Sequence, residues 1–227
     1  LATLVTHDAA AFLGLGMAKL IGGAVFSVGL MLVVIAGAEL FTGNNLILLS
    51  VLDRQVRVRA LLRNWTIVYF ANFAGALLLV LLMYWSGLWE TGGGAVGAAA
   101  VKLADAKVNL TFLEAFARAV LCNWLVCLAV WMAVSARDVI GKIFAIFFPI
   151  MAFVASGFEH SIANMYFIPM GLALKGQGLF EASANLTVGG MIVKNLIPVT
   201  LGNIVGGAFF VAALYWVVYV RKSKQEA

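Results

Sequence analysis

The stretch Gly157–Met165, GFEHSIANM, sets a carboxylate, an imidazole and an amide inside one of the most apolar parts of the chain, with IFAIFFPIMAFVAS before it and YFIPMGLAL after it. Between Lys142 and Lys175 the only formal charge is Glu159, with His160 beside it. The arrangement occurs once more. Between Lys19 and Asp53 the only charged residue is Glu39, in GAELFTGNN at 37–45. A straight transmembrane helix needs about 20 residues. Each interval has more than 30, too long for one straight span and too short for two. In both, the polar group falls a little past the midpoint. The pattern predicts a helix that enters, breaks at the polar cluster and resumes.

The rest of the chain has the same character. Of its 227 residues, 64% are hydrophobic and 11% charged, with a mean hydropathy of +1.05. Soluble domains carry about 25% charged residues, and no soluble core of this size could hide so much apolar surface. Long unbroken apolar runs rather than short alternating strands predict an all-α polytopic membrane protein and exclude a β-barrel. Three more spans read as straight: 64–89, 112–134 and 195–220. Thr111 and Glu114 form a T-x-x-E capping box at the start of the second of these. Cys122 and Cys127 lie in one apolar segment, five residues apart and on different helix sides, which indicates neither a disulfide nor a metal clamp. The net charge of +5 comes from basic residues at segment ends, where they set topology rather than bind nucleic acid.

The chain repeats internally. Gly37, Glu39 and Asn44 align with Gly157, Glu159 and Asn164. Farther on, Asn64, Val68, Asn72, Gly75, Val80, Tyr84 and Trp85 recur as Asn195, Val199, Asn203, Gly206, Val211, Tyr215 and Trp216. Each half therefore reads as a broken span followed by a straight one, about 15–90 and about 110–222, in a single transmembrane domain. The second half has a full span before its break. The opening LATLVTHDAAAFLGLG reads as the tail of an apolar segment, so symmetry predicts a further span before Leu1 and six in all. Basic residues gather in DRQVRVRALLR, in SARDVIGK and in the tail RKSKQEA. An alternating topology puts all three on the cytoplasmic side, and an odd number of spans per half makes the repeats inverted. Gly202-x-x-x-Gly206 and Ala71-x-x-x-Gly75 provide small faces for close packing, either within the protomer or between subunits.

A break exposes backbone groups that hydrocarbon cannot satisfy, so it must face protein or a watery cavity. The resumed half-helix aims free N–H groups at that cavity and favours an anion there. Ionisable groups at this depth are costly and usually functional. Glu159, matched by Glu39, is expected to hold the loop through its N–H groups. His160 is matched by Leu40, so the architecture does not require an imidazole, and a pore-lining role is expected. Thr42 offers a hydroxyl beside the first break. Asn123 is an amide on an apolar helix, either in the pore or in an interhelical hydrogen bond. Lys107 stands near the external mouth of a span, or is an ordinary solvated loop lysine. Phe26, Leu30, Leu40, Val126 and Phe153 flank the breaks; core packing is the plain reading of each, but some must line any central path.

Taken together, AGAELFTGNN, NWLVCLAVW, ASGFEHSIANMYFIPMGL and LIPVTLGNIVGG resemble the formate/nitrite transporter family over nearly the whole chain, most closely its bacterial formate channels. The resemblance implies an aquaporin-like protomer of six spans, the second and fifth broken, and a ring of five protomers with a pore in each. It implies that His160 is the central pore histidine and Thr42 the threonine facing it. Asn123 and Lys107 become its polar neighbours, with Glu159 and Asn164 in the same motif. Phe26, Leu30, Leu40, Val126 and Phe153 become two apolar constrictions. The expected function is passage of a small monovalent weak-acid anion, formate above all, across the cell inner (plasma) membrane, with His160 as a proton relay or as an uncharged lining group. Nitrite or hydrosulfide is the alternative substrate. A neutral-solute pore needs no buried Glu-His pair, and a haem-bearing respiratory subunit would supply paired histidines, whereas His7 and His160 lie far apart. The sequence has no nucleotide-binding loop, no cofactor is expected, and neither is an enzymatic activity. The partners expected are formate, the bilayer and further copies of the chain.

Overall fold

The computed structural model describes residues 2–221, so Lys222 and Lys224 of the basic tail lie outside the described residues. The described chain is helical. The stretch α1 (Ala2–Phe26) is two helical pieces that fold back on each other at the non-helical Gly14 (φ 74°), so that Gly22 lies against Thr6, and α2 (Val28–Ala36) continues the second piece after an interruption at Ser27. The Ser27 hydroxyl lies 3.1 Å from the carbonyls of both Gly23 and Phe147 and shares its one proton between them, which ties this joint to the second half. The first break follows. Gly37 takes a left-handed conformation (φ 81°), which only glycine adopts freely, and the chain resumes through a tight turn at Gly43–Leu46 into α3 (Ile47–Leu52). Helix α4 (Val58–Trp85) runs without interruption.

In the second half, α6 (Phe112–Ser135) starts with the expected capping box, Thr111 and Glu114 each bonding the other's backbone. Asp138 caps α7 (Val139–Ala155) by accepting from the Gly141 N–H at 2.7 Å. The second break repeats the first: Gly157 is left-handed (φ 74°), and α8 (Ser161–Lys175) resumes after His160. The last span, α9 (Gly190–Arg221), is α-helical at Ile197–Ile204 and wound more loosely on either side. Among the described residues, four helical stretches are long and apolar enough to cross a membrane: Phe12–Ala36, Val58–Trp85, Phe112–Ser135 and Gly190–Arg221. The protein is an integral membrane protein.

One element departs from the sequence reading. The segment read as an external loop contains α5 (Ala95–Val108). Its run of Gly and Ala carries no apolar stripe that would announce a helix, but the small side chains let it lie close on α8. A Cβ on Gly171 would collide with Ala104. Lys107, in the last turn of α5, is carried inward and is only 9% exposed.

The G-x-x-x-G pair packs within the chain. A Cβ on Gly202 would strike the Phe116 carbonyl and Ala119, and one on Gly206 the Val120 carbonyl. Both glycines therefore let α9 lie against the α6 backbone. Gly206→Leu should separate these helices and lower the stability of the purified protein by about 2 kcal/mol, read from thermal unfolding in detergent; an unchanged midpoint would contradict this packing. In the first half, nothing lies within 4 Å of where a Gly75 Cβ would be.

Candidate functional site

The two breaks are braced by the same hydrogen bonds. In the first, Asn72 Nδ2 donates to the Glu39 carbonyl at 3.0 Å and Asn72 Oδ1 accepts from the Phe41 N–H at 3.1 Å. In the second, Asn203 Nδ2 donates to the Glu159 carbonyl at 3.0 Å and its Oδ1 accepts from the Ser161 N–H at 2.9 Å. Asn44 Nδ2 donates to Glu39 Oε2 (2.5 Å) and Asn64 Oδ1 (2.9 Å). Its counterpart Asn164 Nδ2 donates to Glu159 Oε2 (2.6 Å) and Asn195 Oδ1 (2.7 Å). Backbone groups freed by each break thus find amide partners, as buried polar groups must.

The halves differ in what covers them. Glu39 is exposed. Glu159 is 4% exposed and receives Lys107 Nζ at 2.9 Å on Oε1. Asn195 Nδ2 bonds the Lys107 carbonyl at 2.9 Å, and the Glu159 N–H donates to the Arg118 carbonyl at 3.3 Å. Lys107 is therefore not a solvated loop lysine but one half of a buried ion pair. Its carboxylate partner is held by an ammonium and two amides, and this satisfaction makes a charge at this depth tolerable.

His160 links the two breaks. Its Nε2 lies 2.9 Å from Thr42 Oγ1, and Nδ1 accepts the Ala163 N–H at 3.2 Å, which caps α8. The cap fixes the tautomer. A nitrogen that accepts an N–H cannot also carry a proton, so in this arrangement Nε2 bears the hydrogen and the ring donates toward Thr42. Imidazolium and cap exclude one another. The ring stacks with Phe153 (centroids 6.0 Å apart, 20° between planes), and Phe153 meets Phe26 edge-on at 5.8 Å.

The structure also assembles the expected apolar residues. Leu30, Val126 and Phe153 belong to one buried cluster, with Phe26 and Leu40 packed against it. A vestibule of about 590 Å³ reaches this cluster; Lys107, Glu159, His160, Asn164, Phe26 and Phe153 line it. Leu30, Leu40 and Val126 are not among its described lining, and neither are Thr42 and Asn123. Asn123 is completely buried. Its Nδ2 reaches the carbonyls of Thr42 (3.2 Å) and Asn203 (2.7 Å) and Asn45 Oδ1 (2.9 Å), a strut between the breaks. Oδ1 of Asn164 and Oγ of Ser161 are buried without a hydrogen-bond partner.

Sequence reasoning missed Asn72 and Asn203 as site residues, although both had served to align the halves; a recurring amide in an apolar helix was the available signal. Asn45 and Arg118 had no such signal.

The chain matches the family model described as formate/nitrite transporter over residues 1–217. It is 46% identical over 218 residues to the formate channel FocA of Escherichia coli (strain K12), covering 92% of this chain and 76% of that protein. With a probable formate transporter of Methanothermobacter thermautotrophicus it shares 48% identity over 221 residues, covering 91% and 77%. A solved structure described as a pentameric formate channel with formate bound superposes with a TM-score of 0.83 at 42% identity, covering 97% of this chain and 90% of that one.

Proposed function

Because the chain belongs to the formate/nitrite transporter family, we propose that it carries formate across the cell inner membrane, as one protomer of a pentamer, without chemically altering it. The observation that carries this reading is His160, held between the two breaks at the foot of a vestibule and backed by an apolar cluster. Residues 15–90 and 110–222 are read as inverted half-repeats of one channel domain, with the C-terminus cytoplasmic; the matching hydrogen bonds of the two breaks support the pairing.

A bare carboxylate entering the apolar cluster would lose its hydration at a cost of many kcal/mol. Formate approaching His160 meets an N–H donor at Nε2 that the α8 cap holds in place, so one carboxylate oxygen gains a hydrogen bond as water leaves. Thr42 is the ring's resting partner and yields it to the solute. Asn164, with an unpartnered Oδ1, offers an acceptor to a protonated acid. Asn123 acts by fixing the two breaks together. Phe26 and Phe153 form the first apolar constriction, and Leu30, Leu40 and Val126 the second. In this reading the ring stays neutral and donates. A relay through imidazolium is the second reading, and it requires the cap to open.

Proteoliposomes loaded with pH dye and given formate, nitrite or hydrosulfide test the assignment. Formate uptake is expected to exceed nitrite uptake at equal gradient, and proton movement distinguishes passage of the acid from passage of the anion. A preference for nitrite or hydrosulfide would overturn the substrate reading.

A further inference from the structure

A run of aromatic contacts connects Lys107 to His160 through Phe167. The Lys107 ammonium, besides its bond to Glu159 at 2.9 Å, stands 5.7 Å from the centre of the Phe167 ring. That is inside the distance of about 6 Å at which an aromatic ring attracts a cation. Phe167 in turn stacks on Phe26, with centroids 6.4 Å apart and 29° between planes. Phe26 meets Phe153 edge-on, and Phe153 stacks on His160. The contacts therefore run from Lys107 through Phe167, Phe26 and Phe153 to His160, and all five residues line the vestibule.

Helical geometry sets Phe167 ahead of the histidine. It follows His160 by seven residues in α8, so a rise of 1.5 Å per residue puts it about 10 Å farther from the break. Ala163 and Asn164, four and three residues before it and so on the same helix side, line the same wall. Phe26, Phe153 and Phe167 come from α1, α7 and α8, so three elements each contribute one ring. Among the described residues, Phe167 belongs to neither of the two larger buried apolar clusters, whereas its neighbour Tyr166 packs on one of them. Its ring is half-buried and borders the cavity, which plain core packing does not require.

We propose that Phe167 is a size-selecting residue: with Phe26 and Phe153 it sets the width of the approach to His160, and the Lys107 ammonium beside its ring holds it in place. The proposal rests on the proposed function for its substrate class, and it gives Lys107 a positioning task beyond neutralising Glu159. A ring held by a cation and by a stacked neighbour cannot swing aside without losing both contacts, and close-packed surroundings leave little slack. Formate, with a single carbon, passes where a carboxylate bearing a methyl group has to displace a ring. One methylene more or less in an apolar pocket changes discrimination by about 10- to 200-fold.

The test is the flux of formate, acetate and propionate, each measured alone in proteoliposomes at equal gradient. Phe167→Ala is expected to raise the acetate-to-formate ratio about ten-fold or more through a gain in acetate flux, with propionate following. Phe167→Tyr keeps the ring and should keep the ratio near that of wild type. The double variant Lys107→Met with Glu159→Gln frees the ring without stranding a charge, and should raise the ratio about two- to five-fold. Adding Phe167→Ala to that double variant should then change the ratio less than it does in wild type, because Lys107 acts through the ring. A wild-type ratio in Phe167→Ala would overturn the proposal, as would an equal fall in all three fluxes, the mark of packing alone. Fully additive effects would overturn the positioning by Lys107. If wild-type protein carries no formate, the substrate reading fails, and nitrite against the larger nitrate decides size selection on the same variants.

Discussion

Formate flux is expected to fall about 100-fold in His160→Phe, because the ring's donor to a desolvating carboxylate is lost; a hydrogen bond to a charged group is worth about 1.5–3 kcal/mol, or ten- to a hundred-fold in rate. The phenyl ring can still stack on Phe153, so the cavity keeps its shape. The same substitution removes the Nδ1 acceptor that caps α8, and losing a cap costs about 1 kcal/mol. His160→Asn separates the two roles. Asparagine is a good N-cap, so its stability should stay near wild type, but its shorter side chain does not reproduce the Nε2 donor near Thr42. Flux should therefore fall in both variants, and the unfolding temperature only in His160→Phe. Wild-type flux in His160→Phe would remove the histidine from the pathway.

The second large effect concerns stability. Lys107→Met leaves the Glu159 carboxylate buried with its amide partners but without its cation. Breaking a buried pair in this way costs about 3–5 kcal/mol, enough to bring many membrane proteins near unfolding in detergent. Lys107→Met combined with Glu159→Gln removes both charges and should recover most of that loss, because an uncharged pair has no such desolvation penalty. Thermal unfolding of wild type, both single variants and the double variant closes the cycle. A double variant no more stable than Lys107→Met would mean that the contact does not carry the stability.

The breaks could be read from the sequence because each leaves an isolated carboxylate in an apolar run too long for one span, and each begins at a glycine that the structure finds left-handed. His160 stood out because its repeat partner is a leucine. Helix α5 could not be read in this way. Its alanines favour a helix, but the run Gly92-Gly93-Gly94 just before it reads as a loop, and no apolar stripe marks the side that packs on α8 at Ala104 against Gly171. That fit also buries Lys107, so the Lys107–Glu159 pair was beyond reach of any local pattern. Asn72 and Asn203 were visible as matching residues but not as braces, since each bonds a backbone more than 30 positions away. Asn123 was left between pore and strut, and its Nδ2, whose two hydrogens are shared among acceptors on Thr42, Asn45 and Asn203, makes it a strut. Arg118 carried no signal in an otherwise ordinary span; its carbonyl, which accepts the Glu159 N–H, is what ties it to the second break.

The central claim is that a neutral His160 caps α8 through Nδ1 and offers its Nε2 hydrogen to the passing solute. Nitrogen NMR of protein labelled at the histidine ring nitrogens, at neutral pH with and without formate, tests it most directly. The account predicts an unprotonated Nδ1, a protonated Nε2, and an Nε2 signal that moves as formate is added over the range that saturates flux. Protonation of both nitrogens at rest, or an Nε2 signal indifferent to formate, would contradict it.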